Sequence, residues 1–392
     1  MLLAMAGATP LLGQAAPDPL APLPERMVAP KPVPPPVVAP AVRPVPSFST
    51  SGPTVILQRP GPAIPSLTPQ SDTGAAMGFA GYKATISARA RAAGVGEGTI
   101  ASIVPFLSLD MRVVRLDRGQ PGGVMPTTTV PPFAPYRRDH VTPSLISRGQ
   151  TVYAANWTRL WGLQTRTGVD AAMPVAIFGH ETSYGAVTGG FDLLDSLATL
   201  AYDGRRRELF EVELIAALQL IDRGTPRSRL RGSWAGATGY PQFMPSAVLK
   251  LAVDGDGDGR VDIWTSQSDA LASIANFFKY AGWKAGVPWG VAARVPATFD
   301  RAAVRNNVVA ARCTRVFARH SRWLTMREWR ALGVVPTGRT IRDEEPASLL
   351  EPDGPDATAY LLTANYRVIL EYNCSNFYAL SVGLLADAIA QR

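Results

Sequence analysis

Cysteine is nearly absent from this 392-residue chain: Cys313 and Cys374 are the only two. That excludes a disulfide-dense scaffold and a zinc-finger array. Histidine is as scarce, and His140, His180 and His320 are too scattered to suggest a His-rich metal centre. Lysine is rare as well. Lys31, Lys83, Lys250, Lys279 and Lys284 are the only ones, so almost all the positive charge behind the net +8 is arginine. A basic surface attracts nucleic acid, anionic lipid or an anionic polymer, and charge alone does not choose among them. No basic run with interleaved aromatics occurs, so nucleic acid is not an expected partner. No stretch of about 18 or more apolar residues occurs, which excludes a membrane-spanning helix. What is present is enough apolar material for a core, 46% hydrophobic against 18% charged; this is not a wholly disordered composition.

The first 16 residues, MLLAMAGATPLLGQAA, read as the apolar part of a secretory signal, with Gly13 and Ala15 as the small residues at −3 and −1 of a cleavage site. The basic leader expected in front of such a segment is missing. No cysteine lies near its end, so a lipid anchor is not expected. The implied destination is the periplasm, as a soluble protein. Residues 17–75 hold 17 of the 35 prolines. Proline fixes φ and removes an amide donor, so this segment should be extended and solvated, as a tether or a passive spacer.

A folded domain is expected over 76–392, beginning near Gly78. Its periodicity is helical. Residues 208–223 place Phe210, Leu214, Leu218 and Ile221 on one face, with Gly224 after them. Residues 269–281 align Leu271, Ile274, Ala275 and Phe278, stopped by Gly282. Residues 377–390 align Phe377, Leu380, Leu384 and Ala388. Strand candidates are few, and Tyr366 to Leu370 (YRVIL) is the best.

Three segments carry chemistry. In the first, an apolar stretch from Pro174 to Phe178 delivers Glu181, and Gly185 closes the element. A glutamate there is placed to be partly desolvated, which raises its pKa toward what a general acid needs. A surface glutamate at a helix end is the plainer alternative. In the second, GSWAGATGYPQFMPS over 232–246, small residues allow a backbone to approach a ligand. Trp234, Tyr240 and Phe243 offer faces to sugar rings, and Ser233 and Gln242 offer hydrogen bonds. A tightly packed turn would use the same residues. In the third, DGDGDGRVDIW over 254–264, oxygen ligands fall at positions 1, 3, 5 and 9 of an EF-hand loop, with glycine at 6 and an apolar residue at 8. Asp254, Asp256 and Asp258 repel one another unless a cation such as Ca²⁺ sits between them. Thr265 replaces the usual bidentate glutamate, and Asp269 is the nearest substitute. An acidic solvated turn is the alternative.

Taken in order, GHETSYG, LDSLATLAYDGRRRELF, GSWAGATGYPQFMPS, DGDGDGRVDIW, SDALASIANFFKYAGW and YRVILEYNCSNFYALSVGLLADAI resemble the lytic murein transglycosylase B family. The resemblance runs from about residue 79 to 392 and is weakest over 119–148 and 294–350. It implies a mainly α, lysozyme-like fold of the α+β superfamily with a small β element, its core at about 170–290. It implies Glu181 as the single catalytic carboxylate, with Ser233, Tyr240 and Gln242 against the saccharide. Tyr372 and Asn373 would close over the site, and Arg205 and Arg206 would lie near the substrate groove. A structural Ca²⁺ would be held by Asp254, Asp256, Asp258, the Arg260 carbonyl and Asp269. His180 departs from the family pattern, which more often has an apolar residue before the glutamate. Thr238 stands where methionine is common, and one extra residue separates Trp264 from Asp269.

The implied substrate is the glycan strand of peptidoglycan. Glu181 would protonate the β-1,4 bond between N-acetylmuramic acid and N-acetylglucosamine, then deprotonate the muramic acid's own 6-hydroxyl to leave a 1,6-anhydro end. Two rivals stand beside this. A hydrolytic muramidase would need a second carboxylate, from Asp192, Asp195 or Asp203. A non-catalytic, calcium-stabilised wall-binding protein would need no acid at all. Export to an oxidising compartment and an even cysteine count favour a Cys313–Cys374 disulfide over two buried thiols.

Overall fold

The structure is a computed structural model that describes residues 78–119, 131–310 and 312–391. The signal segment 1–16 and the proline tract 17–75 lie outside the described residues.

The expected helices form. Arg207–Asp222 is helical, and Gly224 follows it at φ +97°. Gln267–Tyr280 is helical with Ser266 as its cap, its hydroxyl accepting from the Asp269 amide, and Gly282 follows at φ +93°. Asn376–Ile389 is helical too, but its buried side is wider than the predicted stripe. Tyr378, Val382, Leu385 and Ile389 are buried, whereas Phe377, Leu384 and Ala388 are only partly so. A helix apolar nearly all round is a buried one, and this one packs against the equally apolar helix Ala172–Thr182.

Residues 366–370 are helix, not strand. Ala364–Tyr372 is capped by Thr363, whose side chain accepts from the Asn365 amide. Tyr366, Ile369 and Leu370 bury together, at the helical spacing that the β-branched run had masked.

The sheet lies elsewhere. Five antiparallel strands stand in the order Leu324–Thr325, Pro346–Leu350, Ala359–Leu362, Gly290–Arg294, Val335–Thr337. Val291 and Leu349 both pair with Leu361. Pro336 sits in an edge strand, where a missing amide donor is tolerated. This sheet occupies much of the stretch where the resemblance is weakest. Cys313 and Cys374 are joined in a disulfide with Cα atoms 5.7 Å apart.

Two apolar clusters flank the site. One gathers around Ala172–Thr182 and Asn376–Ile389. The other forms where Leu193–Asp203 packs on Arg207–Asp222 and on the first helix, Gly78–Ala92. Buried carboxylates tie the second cluster together. Glu211 accepts from Tyr82 Oη at 2.7 Å and pairs with Arg89. Glu213 accepts from the Ser246 hydroxyl at 2.7 Å and its amide at 2.9 Å.

Candidate active site

Glu181 is the penultimate residue of Ala172–Thr182. From Ala172 to Gly179 every residue of this helix is buried. Pro174 is accommodated because it falls in the first turn, where its missing amide costs nothing. The helix ends abruptly: Ser183, Tyr184 and Gly185 follow at φ +53°, +60° and +86°. Three consecutive left-handed residues, two with side chains, are costly and need support. Tyr184 supplies part of it. Its ring lies so close under Gly149 and Gly179 that a Cβ at either would meet it at 2.3–2.5 Å. Its hydroxyl donates to the Leu145 carbonyl at 2.8 Å. Arg148 adds a hydrogen bond to the Ser183 hydroxyl at 2.8 Å.

The last turn of the helix lines a cleft of about 270 Å³, with Asp139, His140, Leu145 and Arg148 across from it. The Glu181 carboxylate accepts a 2.5 Å hydrogen bond from Tyr378 Oη. Burial pushes its pKa up to about 7, and the Tyr378 bond, acting the other way, only partly offsets this. Tyr378 is itself held well above the ordinary phenol value by burial and then by Glu181, so it remains a donor. Tyr136 is raised by burial and by the same carboxylate.

Behind the acid, His180 Nε2 lies 2.8 Å from Ser381 Oγ. Ser381 Oγ also donates to the Tyr378 carbonyl at 2.8 Å. Burial and the neighbouring His140 lower His180 to about 4. It is neutral at physiological pH, and its ring stands edge-on to Tyr378 at 4.6 Å.

The glycine-rich segment packs on the exit from this helix. Thr182 Oγ1 lies 3.2 Å from the Tyr240 carbonyl, and the Tyr240 ring lies 5.2 Å from Phe178. Gln242, at φ +52°, donates from its amide to the Thr188 and Gly239 carbonyls at 3.2 and 2.8 Å. Ser233 accepts from the Ala237 amide at 3.0 Å. Tyr372 donates to the Pro241 carbonyl at 2.6 Å. Thus Tyr240 and Gln242 are tied to the segment that follows Glu181, through Thr182 and Thr188. Tyr372 is held well above the ordinary phenol value by burial and then by Glu181. The Ser233 side chain bonds within its own turn. Asn373 is exposed at the end of its helix, its amide bonded to the Ile369 carbonyl.

Arg205 and Arg206 turn elsewhere. Both hold the buried Asp117, Arg205 through 2.6 Å bonds to each carboxylate oxygen. Their guanidinium groups hold that carboxylate below its usual range. Among the described contacts neither arginine reaches the Glu181 loop.

In the acidic loop, ligand atoms of Asp254, Asp256 and Asp269 lie within 4.8 Å of one another. Asp269 is buried and accepts from the Gly255 and Asp262 amides at 2.8 and 2.7 Å. Asp269 joins the cluster where Thr265 does not; Thr265 instead donates to Asp262 at 2.5 Å. Asp258 accepts from the Arg260 amide at 2.8 Å and stands outside the cluster. Three clustered carboxylates, one of them buried, fit a hard divalent cation such as Ca²⁺.

Tyr378, Tyr136 and the cleft-wall residues Asp139, His140 and Arg148 are site residues that sequence reading missed. Tyr378 lies within a quoted segment, YNCSNFY, as an aromatic in the first turn of a helix. Only the fold brings it to Glu181.

Comparison with known proteins agrees with this geometry. The transglycosylase SLT domain family matches residues 78–387. Membrane-bound lytic murein transglycosylase B of Escherichia coli (strain K12) is 34% identical over 278 residues, which are 68% of this chain and 71% of that protein. SltB3 from Pseudomonas aeruginosa, solved in complex with NAG-anhNAM-pentapeptide, superposes with a TM-score of 0.70 at 38% identity, covering 80% of this chain and 79% of that one. Slt35 from Escherichia coli, solved in complex with calcium, gives 0.64 at 29% identity over 79% and 92%. With its mainly helical, lysozyme-like fold and small sheet, the chain belongs to the transglycosylase SLT domain family and is a lytic transglycosylase acting on peptidoglycan.

Proposed function

We propose that this enzyme cleaves the β-1,4 bond between N-acetylmuramic acid and N-acetylglucosamine without water, leaving 1,6-anhydromuramic acid ends, with Glu181 as sole acid and base. The observation that carries this is the Glu181 carboxyl: it sits in a cleft, is raised to about 7, and receives its one described hydrogen bond from Tyr378. A carboxyl near neutrality can give its proton to the glycosidic oxygen and then take one back. The departing bond leaves positive charge on the sugar carbon, which the muramic N-acetyl group would stabilise. The deprotonated Glu181 then removes the proton of the 6-hydroxyl, whose oxygen closes the anhydro ring.

The three aspartates that the sequence offers to a hydrolytic mechanism are otherwise engaged. Asp192 caps Leu193–Asp203 and pairs with Arg227. Asp195 accepts from the Ser108 amide and from Arg227. Asp203 pairs with Arg118. This takes those three out of a hydrolytic route and leaves Asp139, across the cleft, as the carboxylate such a route would use. The SltB3 complex with NAG-anhNAM-pentapeptide, a relative holding an anhydro sugar, supports the anhydro product.

We also propose Ser233, Tyr240, Gln242, Tyr372 and Asn373 as the saccharide-binding set, and export to the periplasm through the 1–16 segment. Asp254, Asp256 and Asp269 would hold Ca²⁺, which would stiffen the loop between the Gln242 segment and the helix Gln267–Tyr280 and take no part in the chemistry. The test of the reaction is to digest purified sacculi and weigh the released muropeptides. Ends lighter by one water than hydrolysed muramic acid are expected; reducing, hydrated ends would establish a muramidase.

A further inference from the structure

Trp157 and Trp161 are 47% and 54% exposed. Both belong to the helix Trp157–Thr167, whose Leu160 and Leu163 are buried on the other side. One turn earlier, at the end of Pro143–Ala155, stands Tyr153. Its ring lies 5.4 Å from Trp157, and Trp157 lies 5.8 Å from Trp161. Trp157 and Trp161 thus follow one another along the surface with the half-buried Tyr153 beside them, each ring turned relative to the last, by 61° and then 34°. Large aromatics left in water side by side mark an interaction surface more often than a packing accident.

The charge of their own stretch of chain favours one kind of partner. From 141 to 169 the chain has no aspartate or glutamate, while Arg148, Arg159 and Arg166 are all present. Arg159 is steadied by Asn156 Oδ1 at 3.1 Å. A ligand that offers flat apolar faces and carries negative charge fits both features. A glycan strand does so: the axial C–H groups of each sugar ring meet the electron-rich face of an indole, and its peptide stems carry carboxylates. Position gives a third reason. The helix that ends beside this row begins at the cleft, where Leu145 and Arg148 are part of the wall. From Arg148 to Tyr153 the rise is only ~8 Å along the helix axis.

We propose that Tyr153, Trp157 and Trp161 form a second glycan-binding platform, outside the cleft, that holds the polymer while Glu181 acts on it. The proposal rests on peptidoglycan being the substrate and adds a holding site distinct from the cutting site.

The test is the Trp157→Ala/Trp161→Ala double variant of the full chain, measured against two substrates. Cosedimentation with intact sacculi should weaken roughly tenfold or more, and sacculus digestion at low substrate should slow in step. Turnover of a short soluble muropeptide, which spans only the cleft, should stay within about twofold of wild type. Trp161→Tyr, which keeps an aromatic face, should retain most of the binding; it also serves as the informative variant if the double substitution misfolds. Unchanged sacculus binding in a folded double variant would overturn the platform. So would a wild-type dimer that the double variant converts to a monomer, since the tryptophans would then be covered by a second copy. Failure of the wild type to release anhydro ends would overturn the Glu181 mechanism and leave the cosedimentation result to decide the platform.

Discussion

Glu181 and Asp254 carry the same functional group into opposite states. Asp254 accepts amide hydrogens from Gly257 at 2.6 Å and Gly259 at 2.8 Å, and these bonds hold its pKa below the ordinary value. Glu181 receives its one described hydrogen bond from a phenol and is raised by burial to about 7. The difference lies in burial and in the backbone. The acidic loop is rich in glycine and turns its amides inward, so carboxylates there are solvated by peptide groups and ready for a cation. The Glu181 helix spends its amides on its own carbonyls, so its carboxyl has almost nothing to ionise against. Burial first, and donor supply second, set the two carboxyl groups apart.

The most direct way to break this comparison is Glu181→Gln. The amide keeps the shape and loses the proton, so glycan cleavage should fall by roughly 10²–10⁴-fold while sacculus binding persists. A residual rate above about a tenth of wild type in a muropeptide-release assay would remove Glu181 from the chemistry.

The other half is probed by the cation. Added Ca²⁺ at a hundredfold excess over its Kd should stabilise the fold by about 2.7 kcal/mol, read as a higher melting temperature than in chelator. Asp269→Asn should abolish that response. Equal melting temperatures with and without Ca²⁺ in the wild type would leave the acidic cluster as a solvated turn.

Tyr378→Phe sharpens the contrast by removing the one described donor to Glu181. Activity should drop about tenfold, in keeping with a hydrogen bond to a charged group. Wild-type activity should fall as pH rises through about 7, because the acid must carry its proton. In the variant that alkaline limb should move to higher pH, since the bond that favoured the carboxylate is gone. A drop in rate with an unmoved limb would assign Tyr378 to packing alone.

The smallest effect is expected for His180→Val, which installs an apolar residue of the kind more common in the family. It deletes the hydrogen bond to Ser381, worth about 0.5–1.5 kcal/mol, and leaves the carboxyl in place. A modest fall in melting temperature with little change in the pH profile is expected; a shifted profile would show that the histidine tunes the acid through Tyr378.

Much of this molecule could be read in advance because its helices are long and periodic, and because Glu181, Tyr240 and Gln242 lie in runs whose composition is unusual. The five-stranded sheet could not. Its strands are short, and Ala359–Leu362 is buried at every position, so no alternation marks it. Its segments GVAAR and PASLL contain little β-branched sequence, whereas the β-branched pair Val368-Ile369 is helical. Tyr378 and Glu181 are separated by 197 residues, and no local pattern joins them. Arg205 and Arg206 look free in sequence because Asp117, the group they hold, lies nearly 90 residues earlier.

The place of Glu181 in its helix has an electrical consequence. Aligned peptide dipoles leave the carboxyl end of a helix with roughly half a negative charge, felt within the last turn. Glu181 stands in that turn. An anion there is opposed by the helix that carries it, which favours the neutral acid before the bond breaks. The same pole lines the cleft, where a sugar carbon turning positive would meet it. An apolar helix that carries no formal charge before its last turn thereby becomes a weak cathode directed at the reacting bond.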